Sequence, residues 1–170
     1  GLRRAWPQIM RRLGLMRPTL EGIAVSFAVT IGLFIFVTAV SAIWQGLVSA
    51  ETFEEQTEAS NALAESVDTL GLAFLLAATA AVGEEIAFRG ALQPVFGFWP
   101  TAILFALTHM QYTLTPAALI IFGVAIVFGW IRQRFSTTMA IFTHFFYNFI
   151  PLALTVALPE EAFALTLGLF

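Results

Sequence analysis

Six polar residues stand inside long apolar runs: Glu84, Glu85, Arg89, His109, His144 and Asn148. The chain has 2 histidines, and both belong to this set. With 59% hydrophobic and 11% charged residues, most of it reads as lipid-facing or lipid-buried helix. A charge at membrane depth costs roughly 2.5–3.5 kcal/mol on insertion scales, so residues kept there are candidates for chemistry.

Glu85 and Arg89 are spaced i, i+4 and face one another on a helix. In a low dielectric that pairing holds Glu85 ionised and neutralises it. Glu84 points about 100° away, the angle per residue of an α-helix, and is free for another partner. One paired carboxylate beside an unpaired one suits a general base. The same residues also read as an ion network that locks a helix at a membrane interface. His109 follows Phe105 by four residues on a separate apolar stretch. Alone, such a histidine is more often a structural hydrogen-bonder than a catalyst. His144 and Asn148 again share a helix face. Both donate hydrogen bonds, as an oxyanion requires, and both equally serve as an interhelical clamp.

Taken together, a carboxylate and two imidazoles either position a water or ligate zinc with an open position. In the second case Glu84, His109 and His144 are the ligands, and a divalent metal is the one cofactor in view. The HExxH pattern of helical zinc proteases is absent. There is no cysteine, which excludes thiolate nucleophiles, disulfides and Cys-ligated metals. Ser136 is the only serine in the second half of the chain and falls outside the polar layer. Thr108 and Tyr147 are better suited to assist by hydrogen bonding than to act as nucleophiles.

These residues need helices to hold them. The length of 170 residues allows one domain. A first span is expected over residues 23–48, long enough to cross a hydrocarbon core of about 30 Å. The acidic segment 51–68 has few apolar residues and is expected to be a solvated loop, with at most a short surface helix. A second helix begins near Thr69 and carries Glu84 to Arg89. Gly97, Trp99 and Pro100 mark a break, with Pro100 in the first turn of a third helix over 101–111. That helix covers only half a bilayer, so it is either re-entrant or longer than the break implies. Thr115 is expected to cap a fourth helix, Pro116–Arg134. A fifth is expected over 137–158, interrupted by Pro151. Glu160 and Glu161 close it, and the apolar residues 162–170 form a tail or begin another element.

The net charge of −3 hides a segregation of charge. Arg3, Arg4, Arg11, Arg12 and Arg17 precede the first span; six acids and no base follow it. All positive charges are arginines. No basic patch suits nucleic acid, and the arginine cluster reads as a topology signal beside anionic lipid. The positive-inside bias puts the N-terminus, Arg132 and Arg134 in the cytoplasm and the acidic segment outside. Trp44, Trp99 and Trp130 then fall near helix ends, at the interfaces. Counted at 1.5 Å per residue, Glu84, His109 and His144 lie at one depth in the cytoplasmic half. Hydrophobicity does not require that coincidence, and it argues for a single site. The apolar run after Arg17 is too long for the h-region of a signal peptide and lacks a clear cleavage site. Because the sequence begins with Gly1, a piece of a larger membrane protein with helices upstream is one expectation.

The three motifs Glu84-Glu85-x-x-x-Arg89, Phe105-x-x-x-His109 and His144-x-x-x-Asn148 resemble, in order and placement, those of the CPBP family. These are the CAAX proteases and bacteriocin-processing enzymes, also called the Abi family, of intramembrane endopeptidases. The resemblance covers residues 69–158, leaving 1–68 as a basic segment, a generic span and an acidic external loop, and 159–170 as the tail. It implies an all-α polytopic bundle with a polar catalytic layer. It implies that Glu84 and His109 activate a water, that His144 and Asn148 stabilise the oxyanion, and that Glu85 and Arg89 organise the site. The resemblance is compatible with either a metal-dependent or a metal-free glutamate mechanism. Implied partners are the bilayer and a membrane-associated peptide or lipidated protein, and the small core and breadth of the family suggest a bacterial inner membrane. Two other readings use the same layer: a scaffold or bacteriocin-immunity-type protein that binds through it, and an ion or proton carrier. The carrier reading lacks a second polar layer to complete a path.

Overall fold

The computed structural model describes residues 5–109 and 116–158. Among them the regular structure is helical: α1 (Trp6–Arg12), α2 (Leu20–Gln45), α3 (Ala50–Glu65), α4 (Leu70–Glu85), a π-helical segment (Ile86–Leu92), α5 (Gln93–Phe96), α6 (Phe98–Thr108), α7 (Pro116–Arg134) and α8 (Thr137–Ala157). By length and composition, four described stretches suit a membrane crossing: Leu20–Gln45, Leu70–Phe96, Ala117–Arg134 and Thr137–Ala157. The chain is a polytopic helical bundle.

Side-chain caps set several of the starts. Thr19, Ser49, Thr69 and Ser136 each accept a backbone N–H from three residues on, at the heads of α2, α3, α4 and α8. The expected cap Thr115 and the end of the expected third helix at Gln111 lie outside the described residues, as do 159–170. Two expectations change. Where a solvated loop with a short surface helix at most was expected over 51–68, a 16-residue helix runs over Ala50–Glu65. Its alanines, glutamates and Gln56 are strong helix formers. Phe53, Gln56 and Thr57 turn inward, and Trp44 Nε1 donates to Gln56 Oε1 at 2.8 Å. Pro151 does not interrupt α8, which runs through it to Ala157; neighbouring helices make that tolerable in a membrane bundle. The third helix is short, as expected: 11 residues, about 16 Å at the α-helical rise.

α8 is the hub, with α4, α2 and α7 packed around it. Lipid removes the hydrophobic drive between helices, so association rests on close packing and interhelical hydrogen bonds. Both are visible. The buried stripe of α4 is Ala73, Ala77, Ala81 and then Glu85, one residue every four. Small side chains let α4 lie close on α8, and the same stripe delivers Glu85 into the interface. The buried stripe of α2 is Gly22, Ser26, Thr30 and Leu33. Ser26 Oγ donates to the Met139 carbonyl and Thr30 Oγ1 to the Thr143 carbonyl, both at 3.2 Å. The four-residue step on both helices makes a short ladder between parallel neighbours.

Residues 13–16 are strapped to the start of α8. Thr137 Oγ1 donates to the Leu13 carbonyl, and Thr138 Oγ1 bonds both the N–H and the carbonyl of Met16. Arg11, Arg12 and Arg17 therefore share one end of the bundle with Arg132 and Arg134.

Candidate active site

Glu85, Arg89 and His144, with His109 linked through Phe105, come together where α4, the π-helical segment, α6 and α8 meet. Glu85 is 0% exposed and Arg89 1%. Arg89 Nη1 donates to Glu85 Oε1 at 3.1 Å, so the i, i+4 pair read from sequence is present. The guanidinium donates through Nη2 to the Ala125 carbonyl of α7 at 3.1 Å and lies 4.2 Å from the ring centroid of Phe105. A buried arginine thus has a carboxylate, a carbonyl and an aromatic face, which together offset the cost of taking its charge out of water.

The polar partner of His144 is Glu85: Nδ1 lies 2.9 Å from Oε1, the oxygen that also takes Arg89. An ionised carboxylate only accepts, so Nδ1 carries the hydrogen and Nε2 is left for another partner. The ring stacks on Phe128 at 4.8 Å between centroids. Asn148 sits one turn along α8, half-buried, with no side-chain hydrogen bond among the described residues.

His109 ends α6. Its Nδ1 lies 2.9 Å from the Phe105 carbonyl, which can only accept, and its ring lies 4.8 Å from that of Phe105. The ring of Phe105, 3% exposed, therefore meets three members of the polar set: Arg89, His109 and, at 6.3 Å, His144. The four-residue spacing of Phe105 and His109 acquires a physical reason, since carbonyl and ring together fix the imidazole.

Glu84 is half-buried and has no hydrogen-bond partner among the described residues. Its Oε2 is sealed from solvent, as is Oε2 of Glu85. Unpaired buried carboxylate oxygens are costly and call for a water, an ion or a reacting group. Glu84 also attracts Arg89 through space, second to Glu85.

The layer read from sequence is thus joined at Glu85, Arg89 and His144 directly and at His109 through Phe105. Sequence reasoning missed Phe128 and the Ala125 carbonyl. A phenylalanine in an apolar helix carries no distinguishing signal, and a backbone acceptor carries none at all. Among the described residues no three His, Asp or Glu side chains are gathered closely enough to hold a metal ion. Glu84, His109 and His144 therefore do not form a ligand set here.

Bundle and site define the class: a multi-pass helical membrane protein with a buried Glu–Arg–His cluster. The family model described as type II CAAX prenyl endopeptidase Rce1-like matches residues 66–150, half of the chain, and that stretch contains all six polar residues. The chain belongs to the Rce1-like family. No curated protein and no solved structure matches it.

Proposed function

We propose that this chain is an intramembrane endopeptidase that cleaves a membrane-associated, CAAX-type prenylated protein or peptide, with Glu84 as general base. The observation that carries the reading is the unpartnered, partly sealed carboxylate of Glu84 beside a Glu85 carboxylate whose Oε1 is already taken by both Arg89 and His144. The cluster spends its charges on itself and leaves one carboxylate available.

In the proposed reaction a water hydrogen-bonds to Glu84 and to Nε2 of His109, whose Nδ1 is held by Phe105. Glu84 takes one proton as the water oxygen attacks the scissile carbonyl carbon. Nε2 of His144 and the side-chain amide of Asn148 donate to the developing oxyanion. Both ring N–H groups are then in use, Nδ1–H on Glu85 and Nε2–H on the oxyanion. As the tetrahedral intermediate collapses, the C–N bond breaks and Glu84 delivers its proton to the leaving amine. Glu85 and Arg89 organise the site without touching the reacting atoms. No step of this proposal is routed through a metal; among the described residues no ligand set is gathered.

The positive-inside bias supports placing the arginine-rich end of the bundle, and with it the N-terminus, at the cytoplasmic face. A bacterial inner membrane and a catalytic core over residues 69–158 belong to the same reading. The test is cleavage of a farnesylated peptide ending in a CAAX sequence by purified wild type and Glu84→Gln, read by mass spectrometry. Product from wild type alone supports the reading; equal product from Glu84→Gln removes it.

A further inference from the structure

Three side-chain hydrogen bonds tie the π-helical segment and Gln93, the residue that follows it at the head of α5, to α7, a helix that supplies no member of the polar set. Arg89 Nη2 donates to the Ala125 carbonyl at 3.1 Å and Gln93 Nε2 to the Gly129 carbonyl at 3.0 Å. Donors and acceptors both step by four residues, so the segment lies in parallel register along α7. The third bond runs the other way: Arg132 Nε donates to the Arg89 carbonyl at 3.2 Å. π-helical turns are rare and concentrate at functional sites. This one begins immediately after Glu84 and Glu85, so its register sets where both carboxylates stand.

The two outer residues of this arrangement are themselves held. Gln93 is 7% exposed. The Arg132 guanidinium lies over Gly14, where an added Cβ would come within 2.7 Å of Cζ. Next to it, the Leu13 carbonyl lies 3.1 Å from where a Cβ on Gly90 would stand. Residues 13–14, anchored by Thr137, therefore wedge Arg132 against the π-helical segment.

We infer that Arg132 and Gln93 are positioning residues of the site. They hold the π-helical turn in register on α7, and through it fix the meeting of Glu85 with His144 and the direction of Glu84. Neither side chain touches the reacting atoms. The kinetic part of this inference rests on the endopeptidase reading; the structural part does not.

The test uses the full chain in detergent or lipid nanodiscs. With 2 histidines in the sequence, 15N-histidine labelling gives a spectrum of two imidazoles, assigned with His109→Gln. Arg132→Met and Gln93→Met are expected to move the His144 resonances. On a farnesylated CAAX peptide they are expected to lower kcat by about tenfold or more with KM changed by less than about twofold. Arg134→Met, whose guanidinium rests near Phe135, is expected to change neither. If Arg132→Met does not fold, Arg132→Lys keeps the charge and stem without a nitrogen at the ε position, and should show the same shift. Folded variants with wild-type His144 resonances overturn the inference, as does a rise in KM at constant kcat, which marks a substrate contact instead. If wild type leaves the peptide intact, the endopeptidase reading fails by itself, and the His144 resonances still decide the positioning role.

Discussion

His144 Nδ1 and Arg89 Nη1 both use one oxygen of Glu85, at 2.9 and 3.1 Å, while the other oxygen has no partner. The pairing of Glu85 with His144 crosses from α4 to α8 and joins residues 59 apart in sequence. It makes Glu85 the ionic centre of the cluster and divides the adjacent glutamates by task, one holding the site together and the other left available.

That division predicts opposite phenotypes for one substitution at neighbouring positions. Glu84→Gln removes an unpaired charge, so the fold should persist while the rate falls by about 10²–10⁴-fold, the usual share of general acid–base catalysis. Thermal unfolding in detergent, together with peptide cleavage, measures both. A Glu84→Gln protein that unfolds at much lower temperature would show that Glu84 is structural instead.

Glu85→Gln should do the reverse to stability. It leaves Arg89, 1% exposed, without its counter-charge. Breaking one side of a buried ion pair costs roughly 3–5 kcal/mol. The double variant Glu85→Gln with Arg89→Met should recover much of that stability without recovering activity. Stability of Glu85→Gln equal to wild type would mean that water reaches the cluster and shields the arginine.

How much of this was legible beforehand depended on the kind of signal. The six polar residues were visible because each is expensive in an apolar run, and the i, i+4 pair Glu85–Arg89 followed from helical spacing alone. The partner of His144 was not, since spacing within α8 shows only that it shares a face with Asn148, and the contact with Glu85 depends on how closely α4 lies on α8. The π-helical turn was hidden as well, because its residues read as ordinary α-helix. Helix α3 was underestimated for the opposite reason: its propensity is high, but its few apolar residues suggested a solvated loop with at most a short surface helix. Arg132 looked like a topology charge and Gln93 carried no signal, and only their bonds to Arg89 and Gly129 give them another role.

Gly14 combines two constraints that only glycine meets. Its φ is +70°, and an added Cβ would approach Arg132 Cζ to 2.7 Å and Thr137 Oγ1 to 2.8 Å. Left-handed backbone costs a non-glycine residue roughly 1–2 kcal/mol. Gly14→Ala should therefore destabilise by at least that amount. It should also shift the His144 resonance, because Arg132 must move. Gly32 has open space where its Cβ would be, so Gly32→Ala serves as the control and should leave both unchanged.

The α2–α8 ladder should matter little by comparison. Interhelical hydrogen bonds in membranes average about 0.6 kcal/mol in double-mutant cycles, because the separated helices find other partners. Ser26→Ala and Thr30→Val should each cost about that much and leave cleavage intact. A loss of activity in either would show that α2 reaches the site through Thr143, next to His144 in sequence.

The strictest steric requirement on α4 is the alanine stripe. Ala77 is 1% exposed and Ala81 0%, and both lie on the face that continues to Glu85. Ala81→Leu adds three carbons where two helices are already in contact. Overpacking costs typically 1–3 kcal/mol, with relief by backbone shift. Such a shift separates α4 from α8 one turn before Glu85, so it lengthens the Glu85–His144 contact and disperses the cluster. Ala81→Leu should therefore lose activity out of proportion to its loss of stability, whereas Leu75→Ala, at an exposed position 57% open, should change neither measurably. Cleavage and unfolding measured on both variants separate the two effects. If Ala81→Leu keeps full activity, the α4–α8 spacing is not what positions Glu85, and the π-helical turn on α7 carries that task alone.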